Sequence, residues 1–430
     1  MSREMKDSGV EWIGKIPENW DTIPLKRLSK IQTGSSPDKK EGNNNYSDES
    51  GIPWIKAENL GEFFPIHSTS EYLTENGCKL GRIYPPYTVY VCCIASIGKV
   101  GFSDIECSCN QQINGLSFNN IVNWKFGFYE TLASAIEHIA RSNKSVTPIL
   151  NATEEGKIKF AIPSPTEQQQ IVHFLDRKCT AIDTAIEKTK KSIEKLEEYK
   201  KAVITKAVTK GIDPNAKMKD SGVEWCPQIP EHWSVVNPKA LFSQRTERIL
   251  PGDKQLTASQ EHGIIYQDEY TKATGSRVVA VIRDFSILKH VEPNDFVISM
   301  RSFQGGLEYS EKRGCISSAY VMLIPNTKYV YPPFYRWFFK SSKYINALQS
   351  TSNFVRDGQA MRYSHFIQIP LFVIPLTEQK QIANYLESKV NAIMVLIQKK
   401  QMAIAKWEEY KKSLIYYAVT GKIDCRGEEL

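Results

Sequence analysis

A chain of 430 residues is long enough for roughly two to four domains, each able to bury its own core. With 41% hydrophobic and 24% charged residues it is neither disordered nor collagen-like, and a net charge of +7 without any strongly basic segment permits a polyanionic partner without demanding one. Nine cysteines with no CxxC pair and no Cys/His ladder argue against a disulfide framework or a zinc module and fit a reducing cytoplasm, and no run approaches the ~18 apolar residues of a membrane span.

Residues 1–20 form an opening that reads MKDSGVEW at 5–12 and continues with Ile16-Pro17-Glu18 and Trp20. Residues 21–160 read as a mixed α/β domain with short strands. The apolar run 87–94 after Pro85-Pro86 is a strand, and Phe128-Tyr129 begins a helical pattern. Residues 33–51 make a polar loop carrying Lys39, Lys40, Asn43, Asn44 and Asn45, groups suited to phosphates and adenine edges. Ile97-Gly98-Lys99-Val100 lacks the upstream Gly and the Ser/Thr of a phosphate-binding loop and reads as a turn. Tyr84-Pro85-Pro86-Tyr87 lacks the leading Asn, Asp or Ser of an amino-methyltransferase motif, so its prolines are structural.

Residues 161–213 read as a long helix, because no Gly or Pro interrupts 168–206 and apolar residues recur in a heptad. One seam position takes Val172, Cys179, Ile186 and Ile193; the other takes Leu175, Ile182, Leu196 and Val203. Residues 214–233 then repeat the opening, MKDSGVEW at 218–225 followed by Ile229-Pro230-Glu231 and Trp233. A second α/β domain spans 234–372, with strands expected at 280–282 and 296–300. Placing Pro86 on Pro293 also superposes Gly98 on Gly305, so the two variable domains share a fold and differ in their surfaces.

Arg301 and Gln304 follow the second-domain strand, and Arg356, Gln359 and Arg362 lie close together in the chain; Arg and Gln suit guanine and adenine edges. By the same alignment the first-domain counterparts include Ser96 and Lys99, with Asn110, Gln111 and Gln112 nearby. Residues 373–430 repeat the helix, with Leu386, Ile393, Ile397, Ile404 and Trp407 in its seam. Two such helices pair with each other, antiparallel if the halves are related by a two-fold axis. No metal-ligating cluster and no catalytic triad is legible among the seven scattered histidines.

The SGVEW...IPxxW openings at Ser8 and Ser221, the helix starts at 163–168 and 374–379, the EEYKK segments at 197–201 and 408–412, and the block 296–325 together resemble the specificity (S) subunit of type I restriction-modification systems over essentially the whole chain. The resemblance implies an α+β chain in which two α/β-type target recognition domains, 21–160 and 234–372, sit in pseudo-two-fold arrangement on two long antiparallel coiled-coil helices. It implies a non-catalytic cytoplasmic subunit with double-stranded DNA as ligand, each domain reading half of a bipartite site. Two methyltransferase subunits and the restriction subunits would be its partners, and S-adenosylmethionine, ATP and Mg would act through those subunits, with no cofactor or metal on this chain. The residues alone leave a second reading open, a two-headed coiled-coil adaptor for non-nucleic-acid partners.

Overall fold

The structure is a computed structural model and describes residues 3–39, 44–61, 63–143, 145–260, 262–276, 285–299, 302–351 and 362–427. The chain divides into two compact units, Met1–Thr189 with Met402–Leu430, and Lys190–Gln401. Each unit therefore owns one stretch of each long helix.

Both units carry the same hairpin, and the repeated letters explain it. In the first unit Met5–Asp7 pairs with Lys15–Pro17. The Asp7 carboxylate accepts the Gly9 N–H at 3.0 Å, the Ser8 hydroxyl accepts the Val10 N–H at 3.1 Å, and Gly9 holds φ 64, a conformation a side chain would strain. In the second unit Met218–Asp220 pairs with Gln228–Pro230, with Asp220 on Gly222 and Ser221 on Val223, both at 2.9 Å.

The variable stretches share a topology as well. The first unit holds a four-stranded antiparallel sheet in the order Val100–Ser103, Thr88–Cys92, Ile113–Phe118, Ser29–Thr33. The second holds Glu308–Tyr309, Phe296–Ile298, Val321–Pro325, Phe242–Arg245, which is the same order by chain position. Thr88–Cys92 reads as a continuous apolar run because both its faces are covered: Val89 and Val91 enter one core, Tyr90 and Cys92 another. This strand is shorter than the expected 87–94, because Tyr87 belongs to the preceding turn and Cys93 begins the next loop. The strand expected at 280–282, and Met300, lie outside the described residues. Phe128-Tyr129 fall inside the helix Trp124–Ala133 and Phe334-Tyr335 inside Pro332–Phe338, each buried in its own unit.

The long helices run Pro165–Lys210 and Leu376–Val419, 46 and 44 residues, about 70 Å each at 1.5 Å per residue. In the first unit Leu175, Cys179, Ile182 and Ile186 share a core with Leu414, Ile415 and Ala418, and Lys411 Nζ reaches both Asp183 oxygens at 2.6 and 2.7 Å. Gln170 meets the Arg426 carbonyl at 3.1 Å, so rising numbers on one helix face falling numbers on the other chain segment: the pair is antiparallel. In the second unit Ile204 and Ala207 share a core with Ile382, Ala383, Leu386 and Val390, and Ile393 and Ile397 are also buried. Of the expected seam residues, Ile193, Leu196 and Ile404 are half-buried. Trp407 corrects the expectation: it is 40% exposed and packs edge-on against the exposed Tyr410, since an indole exceeds what a two-helix seam encloses.

A buried amide ties each helix start to its domain. Gln168 Oε1 accepts the Asn123 N–H at 2.7 Å, while Nε2 donates to the carbonyls of Ile121 and Pro163 at 3.0 and 3.1 Å. Gln379 repeats the clamp on Tyr331 N–H, Tyr329 and Ile374 at 2.7 to 2.8 Å. Trp20 and Trp233 donate their indole N–H to Glu167 at 2.9 Å and Glu378 at 3.1 Å. All nine cysteines are free thiols, and no described helix is long and apolar enough to cross a membrane. Removing the clamp with Gln168→Ala takes the partner from one N–H and two carbonyls, of which the bond to Pro163 is fully buried and the other two are part-buried. The variant is expected to lose about 3 kcal/mol of stability, read as a shift of the urea midpoint of the full chain against Lys201→Ala, an exposed helix change.

Candidate nucleic-acid interface

The sheet of the first unit gathers several polar segments at one of its ends. Thr33 faces Asn114 and Cys92 faces Ile113, so the segments after Thr33 and Cys92 and the one before Ile113 all leave at the same end. Ile55 pairs with Cys109 in the second sheet of that unit, which brings Lys56 there too. Backbone bonds lace these loops together: Gly34 N–H to Ile113 O at 2.8 Å, Ser35 N–H to Cys109 O at 2.9 Å, Cys93 N–H to Gln112 O at 2.8 Å and Asn110 N–H to Ile55 O at 3.1 Å. The approach is so close that a Cβ at Gly34 would lie 2.2 Å from the Asn110 carbonyl oxygen, hence the glycine.

The side chains at this end are mostly polar. Gln111 is exposed and accepts from the Ser36 hydroxyl; Asn110 Nδ2 donates to Gln112 Oε1 at 3.2 Å. Ser96 is exposed beside Ala95, which holds the left-handed φ of 62. Lys39, its side chain 53% exposed, lies over the rings of Tyr46 and Trp54 at 4.6 and 5.1 Å and pairs with Glu71; Lys56 lies over Trp54 at 5.4 Å and pairs with the same carboxylate. Hydrogen bonds from Lys39 and then Lys56 hold the Glu71 carboxyl below the ordinary carboxylate range. Burial, then Glu71 and Asp38, push the Tyr46 phenol up to about 12, so it stays a neutral donor to the Pro37 carbonyl at 2.8 Å. Lys39, Lys56 and Arg82 against Glu71 and Asp38 leave this corner slightly positive, with flat rings beside it, a combination that suits phosphates and base edges.

Among the residues singled out from sequence, this end brings together Lys39, Ser96, Asn110, Gln111 and Gln112. Lys99 is anchored inward, its ammonium donating to the Ala57 carbonyl at 2.9 Å. Asn45 corrects the expectation of a surface contact: it is buried, and its amide donates to the Asp38 carbonyl at 2.8 Å to close the loop. Asn44 is exposed and gives its backbone carbonyl to the Thr74 hydroxyl at 2.6 Å. Lys40 and Asn43 lie outside the described residues. Sequence reasoning missed Ser36, Lys56 and Arg82, whose backbone N–H donates to Ser35 Oγ at 2.8 Å. Ser36 follows directly from Thr33, while only the long-range pairing of the second sheet brings Lys56 and Arg82 here, and no local motif marks them.

The second unit repeats the arrangement. Arg245 faces Met322 and Ile298 faces Val321, so the segments after Arg245 and Ile298 and the one before Val321 share one end. Gln304 is exposed on the single-turn helix Ser302–Gly305 in this loop. Arg248 and Lys289, both missed from sequence, sit at this end with donations to the carbonyls of Ile287 at 2.8 Å and Tyr320 at 2.7 Å; burial and then Arg248 lower the Lys289 pKa. Arg362 is exposed at the start of Tyr363–Phe366, and Arg301, Arg356 and Gln359 lie outside the described residues. Asn45→Ala is expected to cost about 1–2 kcal/mol and Gln111→Ala less than about 0.5 kcal/mol, by thermal melting of the two variants. Equal losses would contradict the division into inward and outward polar groups.

Residues 17–198 match the family model of the type I restriction modification DNA specificity domain. The MjaIX specificity subunit of Methanocaldococcus jannaschii is 30% identical over 195 residues, 43% of either chain, and the putative MjaX specificity subunit of the same organism is 26% identical over 280 residues, 64% of this chain and 61% of that one. The matches thus span less than two thirds of either relative. A solved chain from work on complex assembly and conformational transition of the type I R-M system is similar in fold, with a TM-score of 0.68 at 13% identity over 95% of this chain and 99% of that one. Residues 17–198 are thus similar to type I restriction modification DNA specificity domains, and the chain as a whole shares the fold of a solved chain from a type I R-M system.

Proposed function

We propose that this chain is the DNA-reading subunit of a type I restriction-modification complex, in which each variable domain recognises half of a bipartite site. The observation that carries this reading is the pair of sheets with one strand order whose unmatched loops leave from the corresponding end. A fixed scaffold with divergent polar loops is what two half-sites of different sequence require. Lys39, Lys56 and Gln111 in the first unit and Arg248 and Gln304 in the second are the groups best presented for phosphate and base contacts. Recognition needs no catalytic group on the chain: adenine methylation with S-adenosylmethionine and ATP- and Mg-dependent cleavage belong to two methyltransferase subunits and to restriction subunits. The outer surfaces of the helices, where Met394 and Leu396 of one unit and Trp407 and Tyr410 of the other are exposed, suit the docking of those methyltransferase subunits. Free thiols throughout agree with work in the cytoplasm.

Replacing residues 21–160 by another recognition domain tests the reading. In a reconstituted complex, sequencing of methylated DNA is expected to show one half-site changed and the other retained; a change in both halves, or none, overturns it. The helices are proposed to set the spacer. Inserting one heptad after Ile193 and one after Ile404 keeps the seam in phase and adds roughly 10 Å, about three base pairs. The same half-sites are expected to be methylated across a longer spacer, with weaker binding because three pairs rotate the duplex by roughly 100°. Full activity at the old spacing would show that the helices are not the ruler.

A further inference from the structure

The opposite end of the first unit's sheet carries a feature that reading DNA does not use. Pro86 and Tyr87 form the turn into Thr88–Cys92, and Tyr87 holds a left-handed φ of 65 while its N–H donates to the Ser103 carbonyl at 2.7 Å. The second unit has the same turn at Pro293 and Asn294, with φ 77 and the N–H of Asn294 on the Ser310 carbonyl at 2.7 Å. Asparagine is at home in that conformation and tyrosine is strained by it. Burial does not compensate Tyr87, whose side chain is half exposed at 50%. A strained, exposed aromatic that the fold itself could replace by asparagine points to a contact outside the chain.

Tyr87 stands at the rim of a cavity of about 370 Å³, its ring 5.1 Å from that of Trp124, with Phe63 and the 66% exposed Phe64 on another side. The floor is ionic. Asp176 accepts from Lys125 Nζ at 2.7 Å and from the Tyr129 hydroxyl at 2.6 Å, Asp183 holds Lys411, and Asp104 meets His67 Nε2 at 2.7 Å near the mouth. Three carboxylates against the ammonium groups of Lys125 and Lys411 leave an excess of negative charge, which repels a phosphate backbone and attracts a cation. The cavity already shows its preference, since the ammonium of Lys411 lies 3.1 Å from the centroid of the Phe63 ring.

We propose that this aromatic and acidic cavity receives an arginine side chain of the methyltransferase subunit, stacked on Tyr87 and Phe64 and directed toward Asp104. A guanidinium is flat enough to stack and forked enough to hold a carboxylate, which an apolar side chain is not. The inference rests on the reading of the chain as a specificity subunit. Its test is the affinity of the full chain for the purified methyltransferase subunit of the same system, measured by titration calorimetry. Tyr87→Asn, which relieves the strained turn, is expected to keep or raise the melting temperature while weakening association about tenfold. Asp104→Lys is expected to weaken it at least as much, with a smaller loss at high salt. Wild-type affinity in both variants overturns the cavity as a docking site, and loss in Tyr87→Asn alone overturns the cationic occupant in favour of an apolar one. A wild-type chain that does not bind the methyltransferase subunit refutes both this inference and the functional reading on which it rests.

Discussion

The interaction on which the rest depends is the joint between helix start and domain, a buried glutamine held by one N–H and two carbonyls beside a tryptophan–glutamate hydrogen bond. A helix longer than a domain can fix a recognition surface only if the domain cannot swivel on it. A single apolar contact does not prevent rotation, because dispersion is indifferent to direction. The amide of Gln168 has directed donors and an acceptor, all satisfied in one orientation, and misplacement would leave buried groups unpartnered. Gln379 gives the second unit the same fixed joint.

That constraint explains which parts of the fold are legible in the sequence. The repeated letters are those whose side chains close the hairpin, fill the joint or form the seam: Asp7 and Ser8, Trp20, Glu167 and Gln168, and their counterparts Asp220, Ser221, Trp233, Glu378 and Gln379. Asp7 and Ser8 act on near neighbours and Trp20 and Gln168 on partners 147 and 45 residues away, but each recurs in both halves, so comparing the halves exposes it. The sheet is legible more faintly. Pro86 and Pro293 mark corresponding turns and Thr88–Cys92 reads as a strand, yet the strand order depends on pairing Ser29–Thr33 with Ile113–Phe118, far apart in the chain.

The candidate interface lies at the far limit of such reading. Lys39, Asn110 and Gln111 were accessible as polar residues in loops, but the loop that carries Lys39 also carries Asn45, and composition cannot say which of them turns inward. The difference lies in one hydrogen bond, Asn45 Nδ2 to the Asp38 carbonyl, which exists only once the loop has closed. Lys56 and Arg82 stand in segments that no motif marks; through the second sheet Arg82 reaches Ser35, and Lys56 shares Glu71 with Lys39. Trp407 fails in the other direction: heptad spacing assigns it to the seam, but spacing carries no information on side-chain volume.

The sheet of the first unit has two dissimilar ends, and under the proposed function they carry different tasks. Residues at the loop end are tied to each other mainly through backbone bonds, such as Gly34 to Ile113 and Cys93 to Gln112, so side chains there can change without unmaking the sheet. At the other end, Tyr87 and Trp124 are coupled through packing to Asp176 and Asp183 on the long helix, which the seam holds in register with Lys411. Substitutions at that end therefore bear on the scaffold, whereas at the loop end the exposed side chains such as Gln111 can change more freely than Gly34 or the buried Asn45. Under the proposed function, two ends with different tasks can share one antiparallel sheet, because its strands separate them and its hydrogen bonds, set by the backbone, do not depend on the exposed side chains.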